Sequence, residues 1–238
     1  MPAQMEDRDL AHPDRKTIQS LFNTISPKYD FLNSFLSLGL HHYWRMRLVR
    51  ESLSGLEQSI LDIGVGTGKS MKSFLKKHRF RRAVGCDFSE PMLQRAKERL
   101  GSSASYVNCD FHEIPFHDQT FDLATGSFIL RSVQDMGLFL SEIKRVLKSG
   151  GKIAFLELTR PRQSTVWNLI YKPYLKLWVP LVGRLFTRHD HAYEFLSRSI
   201  QTFASPEDIK AQMLKMGFRD VTFIPVSFGI STIIRGVR

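Results

Sequence analysis

The chain has 238 residues, of which 42% are hydrophobic, and this is enough apolar material for one full core of doubly wound α/β size. The 34 basic and 23 acidic residues give a formal charge of +11, which indicates either simple solubility or an anionic partner surface, of phospholipid or of nucleic acid. No nucleic-acid-binding motif is evident, so we expect no nucleic-acid partner.

The N-terminal residues 1–55 are predicted to form a helical cap on the domain that follows. Residues 1–16 are polar and charged and contain no apolar segment, so they do not read as a secretion signal. The remaining residues 56–238 are predicted to form one domain, because no low-complexity stretch divides them.

The cysteines and histidines give no sign of a metal or a disulfide. Cys86 and Cys109 both fall in predicted buried strands, which suits a reducing compartment and offers neither a disulfide framework nor zinc-ligand spacing. His189 and His191 have no recognisable third ligand, so we assign no metal.

The most informative local pattern is the apolar run 60–63, which contains Asp62 and leads into Gly64, Gly66 and Gly68. It predicts a strand that turns tightly into a helix, because glycine allows positive φ and close contact between backbone and ligand. The start of the following helix offers unpaired N–H groups. We therefore expect a nucleotide-bearing cofactor at this turn.

Glycine spacing separates the cofactors that compete for this loop. A triphosphate-binding loop needs a glycine where Ile63 stands, although Gly68, Lys69 and Ser70 supply the end of that motif. A dinucleotide loop needs Gly-x-Gly-x-x-Gly, and Thr67 stands where a pyrophosphate requires open backbone. The order Asp-x-Gly-x-Gly-x-Gly is instead typical of S-adenosylmethionine (SAM) methyltransferases.

Two further aspartates end predicted strands. Asp87 closes the strand 83–87, 19 residues after Gly68, where a carboxylate can accept both hydroxyl protons of a ribose. Asp110 follows the strand 104–109 and is a candidate acceptor for the adenine amino group. Helix capping and plain strand termination remain alternatives for each aspartate alone, but three in register favour a common ligand.

Two helices are predicted in the central part of the chain. One covers residues 91–100 with Ser89 as N-cap, and the other covers residues 135–147, after which residues 148–151 are expected to stop it. The predicted apolar stripe of the second helix consists of Leu138, Ile143, Val146 and Leu147.

Four more strands complete the predicted sheet. Residues 121–127 and 152–158 have the composition of buried parallel strands, and residues 221–225 and 230–234 are predicted to close the sheet as an antiparallel pair. The result is a seven-stranded, mostly parallel sheet.

A lid insertion is predicted over about residues 162–200, and its segment 166–186 mixes aromatic residues, including Trp167 and Trp178, with basic ones. It is not a membrane span, because three basic residues and two prolines interrupt it. The composition suits a membrane interface or the wall of an apolar tunnel. A lid helix packed on the core is an equally weighted alternative.

Blocks along nearly the whole chain resemble the ubiquinone/menaquinone biosynthesis C-methyltransferase family, of the demethylmenaquinone methyltransferase and 2-polyprenyl-methoxybenzoquinol methylase type. The more specific blocks are Tyr29-Asp30-x-x-Asn33, Ser37-x-Gly39-x-His41 and Ser127-Phe128-x-x-Arg131. The chain departs from the family pattern at Lys69, where the family usually has Asp, and at Ser132, where it usually has Asn.

The resemblance implies an α/β fold of the Rossmann-like class I SAM-dependent methyltransferase type, with helices on both faces of the sheet and the N-terminal helical cap. It also implies SAM as cofactor and a polyprenylated quinol as substrate, with demethylmenaquinol preferred. By position, the implied SAM contacts are Thr67, Asp87, Asp110, Phe111 and Ser127.

Methylation at carbon requires a quinol hydroxyl to lose its proton, so that the neighbouring carbon can attack the methyl group. Arg131 is the preferred stabiliser of the developing phenolate, because guanidinium keeps its charge at any working pH. His41 and Asp30 are candidates for receiving the proton, and Tyr29 for orienting the ring. Capping or packing within the N-terminal helices is an alternative for His41 and Tyr29.

Rival functions remain open at this stage. A nicotinamide oxidoreductase is disfavoured because none of the tyrosines has a lysine four residues on. A non-catalytic SAM-binding protein and a methyltransferase for another lipophilic phenol or small molecule are the alternatives. For the preferred function we expect a cytoplasmic protein associated peripherally with the inner face of the membrane, and a homodimer is left open.

Overall fold

The computed structural model describes residue 23, residues 29–159, residues 169 and 173, and residues 203–238; for Tyr29 and Leu32 it describes only the backbone. Except for residues 169 and 173, the predicted lid over residues 162–200 and its aromatic segment 166–186 lie outside the described residues, as do most of residues 1–28.

The described elements are two N-terminal helices followed by a mixture of strands and helices that begins at residue 59. The helices are α1 (Tyr29–Leu36), α2 (Leu40–Ser52), α3 (Lys69–Lys77), α4 (Glu90–Leu100), α5 (Met136–Val146) and α6 (Pro206–Lys215). The strands are β1 (Ser59–Ile63), β2 (Arg82–Asp87), β3 (Ser105–Asn108), β4 (Phe121–Ser127), β5 (Leu147–Leu158), β6 (Arg219–Val226) and β7 (Ser231–Val237).

These strands form one seven-stranded sheet in the order β3-β2-β1-β4-β5-β7-β6. The first five strands in that order are parallel, and β7 is antiparallel to both β5 and β6. The order reverses between β1 and β4, so the carboxyl ends of these two strands border the crevice where doubly wound proteins bind ligands.

Helices cover both faces of the sheet, because successive side chains of a buried strand point to opposite sides. Leu61 and Ile63 of β1 pack in a core with α5 and α6, while Ile60 packs on the other side with α2, α3 and α4. The predicted Rossmann-like class I methyltransferase fold is confirmed.

Local sequence chemistry explains where several helices begin. Asp135 caps α5 by accepting a hydrogen bond from the Leu138 amide, and Ser205 and Asp208 form a reciprocal capping box at α6. Proline in the first turn of α4 and of α6 fits the helix because those amides have no intrahelical partner.

Two sequence predictions around α5 are wrong. Residues 148–151 do not form a loop that ends the helix, because α5 already ends at Val146 and residues 147–158 form β5. Leu147, the first residue of β5, pairs with Phe121, and the register shifts before the next pair, Leu123 with Lys152. Leu138 is 57% exposed instead of belonging to the buried stripe. It lies five positions before Ile143, which turns it about 140° away on the helix.

Candidate active site

The glycine loop after β1 holds three residues at positive φ: Gly64 at 62°, Gly66 at 53° and Gly68 at 79°. A Cβ on Gly64 would lie 2.2 Å from Cγ2 of Ile129, whereas a Cβ on Gly66 would meet nothing closer than 3.9 Å. Gly64 is therefore required for close packing beneath the loop. Gly66 instead keeps backbone exposed toward a ligand.

A cleft lies at the carboxyl ends of the parallel strands, which is where doubly wound α/β folds bind their ligands. Its lining consists of Gly64, Gly66, Asp87, Phe88, Met92, Phe111, Ser127, Phe128, Ile129 and Ser132. Five of the sequence-predicted cofactor residues are thereby brought to one cavity, namely Gly64, Gly66, Asp87, Phe111 and Ser127.

Asp87, the last residue of β2, is held rigidly at the cleft. One carboxylate oxygen accepts from the Gly66 amide at 2.8 Å and the other from the Ser89 amide at 2.9 Å. Burial raises the pKa of Asp87 to about 6, against the stabilising effect of these amides. The carboxylate ties the glycine loop to the start of α4 and keeps lone pairs for a ligand hydroxyl.

Asp62 does not line the cleft but lies beneath it inside β1. Both its oxygens are buried without a hydrogen-bond partner in the described part of the chain. Desolvation raises its pKa to about 8, with a smaller effect of the same sign from Asp87, while Arg45 acts in the opposite direction. The Met71 amide also lowers this pKa but falls short of hydrogen-bond geometry.

Three other predicted cofactor residues stand outside the cleft lining. The Thr67 hydroxyl donates to Oδ1 of Asp30 at 2.7 Å. Gly68 is the N-cap of α3. Oδ1 of Asp110 accepts from the His112 amide at 2.9 Å and lies 2.8 Å from the His112 ring.

The loop that contains Arg131 is organised by a buried carboxylate. Glu157 on β5 is fully buried and accepts from Nε of Arg131 at 2.8 Å and from the Leu130 amide at 2.9 Å. This orients Arg131 within the 3-10 turn Leu130–Ser132. Its neighbour Ser132 lines the cleft, so the charge of Arg131 is balanced and fixed one residue from the site.

The N-terminal helices place His41 and Asp30 in different surroundings. His41 is buried, with Nδ1 2.7 Å from the Ser37 hydroxyl, and burial followed by the charge of Arg45 lowers its pKa to about 3. It is therefore neutral at physiological pH. Tyr29 begins α1, one residue before Asp30.

Asp30 joins α1 to the glycine loop through a cluster of cations. Its carboxylate accepts from Arg99 at 2.6 Å and lies 3.4 Å from Nζ of Lys69, in addition to the Thr67 hydroxyl. Arg99 also donates to the Thr67 carbonyl. These groups lower the pKa of Asp30 although burial opposes them. Lys69, which departs from the family pattern, thus faces a carboxylate.

A second N-terminal contact lies on the other side of Asp87. The Ser89 hydroxyl donates to Oδ1 of Asn23 at 2.6 Å instead of capping its own helix. The described N-terminal residues therefore contact both loops that border the cleft, through Asp30 at Thr67 and through Asn23 at Ser89.

Sequence reasoning missed half of the cleft lining: Phe88, Met92, Phe128, Ile129 and Ser132. Phe88 and Phe128 each follow a strand that ends in a predicted site residue, and that position is the signal that could have found them. Phe88 packs against Phe111 with ring centroids 5.2 Å apart. No local pattern points to Met92, because it looks like any apolar residue of α4.

The cleft suits SAM by its donor set, since backbone amides, a strand-end carboxylate and aromatic walls are what an adenosine needs. The profile of the ubiE/COQ5 methyltransferase family matches residues 10–238. The chain belongs to the ubiE/COQ5 methyltransferase family. It is a SAM-dependent methyltransferase, and SAM is its cofactor.

Several curated relatives match most of the ubiE/COQ5 chain. The demethylmenaquinone methyltransferase of Thermotoga maritima is 37% identical over 222 residues, which cover 93% of this chain and 96% of the relative. The ubiquinone/menaquinone biosynthesis C-methyltransferase UbiE of Geobacter sulfurreducens is 37% identical over 230 residues, covering 93% and 88%.

Solved structures share the fold at low identity. Human N-acetylserotonin methyltransferase in complex with SAM aligns with a TM-score of 0.60 and 19% identity, over 94% of this chain and 61% of that one. A putative methyltransferase from Haloferax volcanii, solved with its Trm112 activator, aligns with a TM-score of 0.65 and 16% identity, over 91% and 96%.

Among the described residues, no group of three His, Cys, Asp or Glu side chains is arranged to hold a metal ion. None of the helices described has both the length and the apolar character that crossing a membrane requires.

Proposed function

We propose that this protein methylates a ring carbon of a polyprenylated quinol, with conversion of demethylmenaquinol to menaquinol as the preferred reaction. The observation that carries the proposal is the match to the demethylmenaquinone methyltransferase of Thermotoga maritima over 93% of the chain. The aromatic walls of the cleft, Phe88, Phe111 and Phe128, suit a flat ring beside the adenosine site.

The proposed cofactor contacts divide into those at the cleft and those that support it. Gly64, Gly66, Asp87, Phe111 and Ser127 would hold SAM directly, with Asp87 as acceptor for the ribose hydroxyls. Asp62, Thr67, Gly68 and Asp110 would shape the surrounding loops. When bound, SAM supplies a methyl group on a positively charged sulfur.

The chain's own groups then have to lower the cost of forming a phenolate. We propose Arg131, oriented by Glu157 at 2.8 Å, as the positive group that favours this charge. His41 remains a proposed proton acceptor, because it is neutral, although its low pKa makes it a weak base. Asp30 fits a positioning role better than a basic one, since three donors hold its charge. Tyr29 remains the proposed ring-orienting residue.

The reaction can be tested with purified protein, SAM and demethylmenaquinone, with and without a chemical reductant. We expect a methylated product only from the reduced substrate, because the oxidised ring is electron-poor and has no hydroxyl to ionise. Product mass and position of the methyl group are read by mass spectrometry. Equal methylation of the oxidised quinone would contradict the mechanism.

The role of Arg131 needs a variant design that separates charge from folding. Arg131→Ala alone leaves Glu157 buried without its partner, which costs about 3–5 kcal/mol of stability. The paired variant Arg131→Met with Glu157→Gln removes both charges together. We expect it to fold and bind SAM normally but to lose at least about a hundredfold in kcat. Normal turnover would exclude Arg131.

The rival functions give different results in the same assay. SAM binding with no product from any quinol would favour a non-catalytic protein. Methylation of simpler lipophilic phenols, with none of demethylmenaquinol, would favour another small-molecule methyltransferase. Quinone profiles of cells that lack the chain identify the substrate ring and tail.

A polyprenylated substrate resides in the bilayer, so we propose a cytoplasmic enzyme that associates peripherally with the anionic inner face of the membrane. The charge of +11 supports this, because lysines and arginines near anionic lipid contribute about 1 kcal/mol each. A homodimer is compatible with the proposal and is tested by analytical ultracentrifugation.

A further inference from the structure

Two large apolar side chains stand almost fully in solvent at the tips of two turns. Leu38, in the turn between α1 and α2, is 78% exposed, and Phe228, in the turn between β6 and β7, is 84% exposed. Leu40, at the start of α2, is also exposed. We call Leu38, Leu40 and Phe228 the apolar edge.

The backbone at this edge is strained. Leu38 has φ 49°, and the hairpin residues Ser227 and Phe228 have φ 50° and 58°. Glycine or asparagine normally occupies such left-handed positions, because a larger side chain crowds the backbone there. Leucine and phenylalanine are unfavourable here, both for the turn geometry and for exposure to water. Their presence indicates that they contact something other than the protein's own core.

Trp44 connects the β6–β7 hairpin with the cleft. Nε1 of Trp44 on α2 donates to the Ser227 hydroxyl at 2.8 Å, which holds the hairpin tip beside α2. The Trp44 ring meets the Phe128 ring edge-on at 6.3 Å, and Phe128 lines the cleft. Trp44 therefore links Ser227, the chain neighbour of Phe228, to a residue of the cleft wall.

Amphipathic residues continue from this edge along the outward face of α2. Tyr43 and Met46 are exposed opposite the helix face that carries the buried Trp44. Further along the same face, Arg47 is half-buried and pairs with Glu51 at 3.2 Å, and Arg50 is exposed. Aromatic and aliphatic side chains beside arginines are the composition of a surface that enters a lipid headgroup layer. The chain's excess of 11 positive charges complements anionic headgroups.

From this placement we infer that the apolar edge is the part of the enzyme that inserts into an anionic lipid surface and admits the lipophilic substrate to the cleft. The inference rests on the proposed function, which makes the substrate a membrane lipid. It assigns the membrane contact to the α1–α2 turn and the β6–β7 hairpin.

The test is co-sedimentation with vesicles of phosphatidylcholine alone and of phosphatidylcholine with an equal amount of phosphatidylglycerol. We expect the wild-type protein to bind the anionic vesicles. Leu38→Asn and Phe228→Asn should each weaken binding about tenfold, because an inserted apolar side chain is lost. Both variants should keep or raise the Tm, since asparagine tolerates positive φ.

Leu56 provides the matched control. It is 81% exposed in the loop before β1, at the amino ends of the parallel strands and so at the opposite edge of the sheet from the cleft. Leu56→Ser should bind vesicles like the wild type. If Leu56→Ser and the edge variants weaken binding equally, the inference fails.

A gain-of-signal variant covers the case in which an asparagine variant does not fold. Phe228→Trp should show an additional blue-shifted fluorescence component, relative to wild type, when anionic vesicles are added. Absence of that shift overturns the inference. The inference also fails if the wild-type protein does not bind anionic vesicles. It fails as well if Phe228→Asn abolishes self-association of the protein without changing vesicle binding.

Activity separates this inference from the proposed function. On a short-tailed, water-soluble quinol the edge variants should match the wild type, while on a long-tailed quinol embedded in vesicles they should lose about tenfold. If the edge variants lose the same activity on both substrates, or lose none on either, the inference about the apolar edge is wrong, while the proposed function is unaffected. Vesicle binding through the edge without methylation of any quinol overturns the function alone.

Discussion

Two buried carboxylates, Asp62 and Asp87, dominate the electrostatics beneath the cofactor cleft. Asp87 is compensated by two backbone amides at 2.8 and 2.9 Å, whereas Asp62 has no hydrogen-bond partner among the described residues. This difference accounts for their pKa values of about 6 and about 8. At neutral pH, Asp87 is mostly ionised and can accept ligand hydroxyls, and Asp62 is mostly protonated.

For Asp87 we expect the substitution Asp87→Ala to lower SAM affinity at least about tenfold, because a charged acceptor of one or two hydrogen bonds contributes about 1.5–3 kcal/mol each. Wild-type affinity should also fall as the pH drops below about 6, where the carboxylate becomes protonated. Titration calorimetry measures both effects.

Two variants control for this result. Asp87→Asn should retain part of the affinity but lose its pH dependence near 6. Asp118→Ala removes an exposed carboxylate that pairs with Arg145 at 2.9 Å, outside the cleft lining, and should leave SAM affinity unchanged. Unchanged affinity in Asp87→Ala would remove the ribose assignment.

For Asp62 the pKa shift predicts how stability depends on pH. Its pKa is raised in the folded protein from 3.8 to about 8, so the folded state binds more protons between these values. The contribution of Asp62 to the free energy of unfolding is therefore greatest below about pH 4. It falls as the pH rises to about 8, by at most ~1.4 kcal/mol per pH unit. Asp62→Asn should flatten this decline in urea unfolding curves.

Asp122 offers a control of opposite sign. Its pKa is lowered despite burial, by hydrogen bonds from Lys148 and Ser59. The stability that Asp122 contributes to the folded protein is therefore present above pH 3.8 and is lost as the pH falls. Asp122→Asn should therefore destabilise the protein at neutral pH. If Asp62→Asn shows the same pH profile as wild type, Asp62 is not the group responsible.

At the scale of elements, α1 is fastened to the glycine loop by the Asp30 cluster. The carboxylate accepts from Thr67 at 2.7 Å and from Arg99 at 2.6 Å and faces Lys69 at 3.4 Å. Thr67 lies between two cofactor glycines, so the position of α1 and the shape of the loop depend on each other. Lys69, which stands where the family usually has Asp, adds one cation to the groups around Asp30.

We expect Asp30→Asn to speed the dissociation of SAM by about three- to tenfold, because charge-assisted hydrogen bonds are lost but partial exposure screens them. High salt should speed dissociation from the wild type in the same direction. Release of radiolabelled SAM after dilution measures the rate. Glu51→Gln, which breaks the 3.2 Å pair with Arg47 on α2, is the matched control, and equal rates in the two variants would contradict the fastening.

At the scale of the whole molecule, one sheet connects the cleft with the N-terminal helices and the C-terminal hairpin. Gly64 packs on Ile129, Arg45 on α2 donates to Ser70 at 3.1 Å, and Ser70 donates to Ser127 at 2.8 Å. Ligand binding at the cleft should therefore stabilise the described fold as a unit.

We expect SAM at about a hundred times its Kd to stabilise the protein by about 2.7 kcal/mol, which for a chain of this length raises the Tm by about 5–10 °C. NAD and ATP at equal concentration should give no shift, because the glycine spacing suits neither. Differential scanning fluorimetry measures all three. A larger Tm shift with NAD than with SAM would contradict the prediction that the glycine loop binds SAM.

Local chemistry carried most of the sequence prediction. The glycine turn after β1, the strand-end position of Asp87 and the alternation of apolar segments all depend on residues close in the chain, and each predicted strand was found within a few residues of its place. The boundary at Leu147 failed because helix and strand share an apolar residue there, and only pairing with Phe121 decides its conformation.

What the sequence determined alone was the fold class, the cofactor loop and the family, since periodicity and turn chemistry act over a few residues. Only the tertiary structure decided which groups meet. Asp30 reaches Thr67 across 37 positions and Trp44 reaches Ser227 across 183. Such contacts follow from how helices pack on the sheet, and that packing also sets the burial that makes Asp62 a neutral acid and leaves Phe228 in solvent.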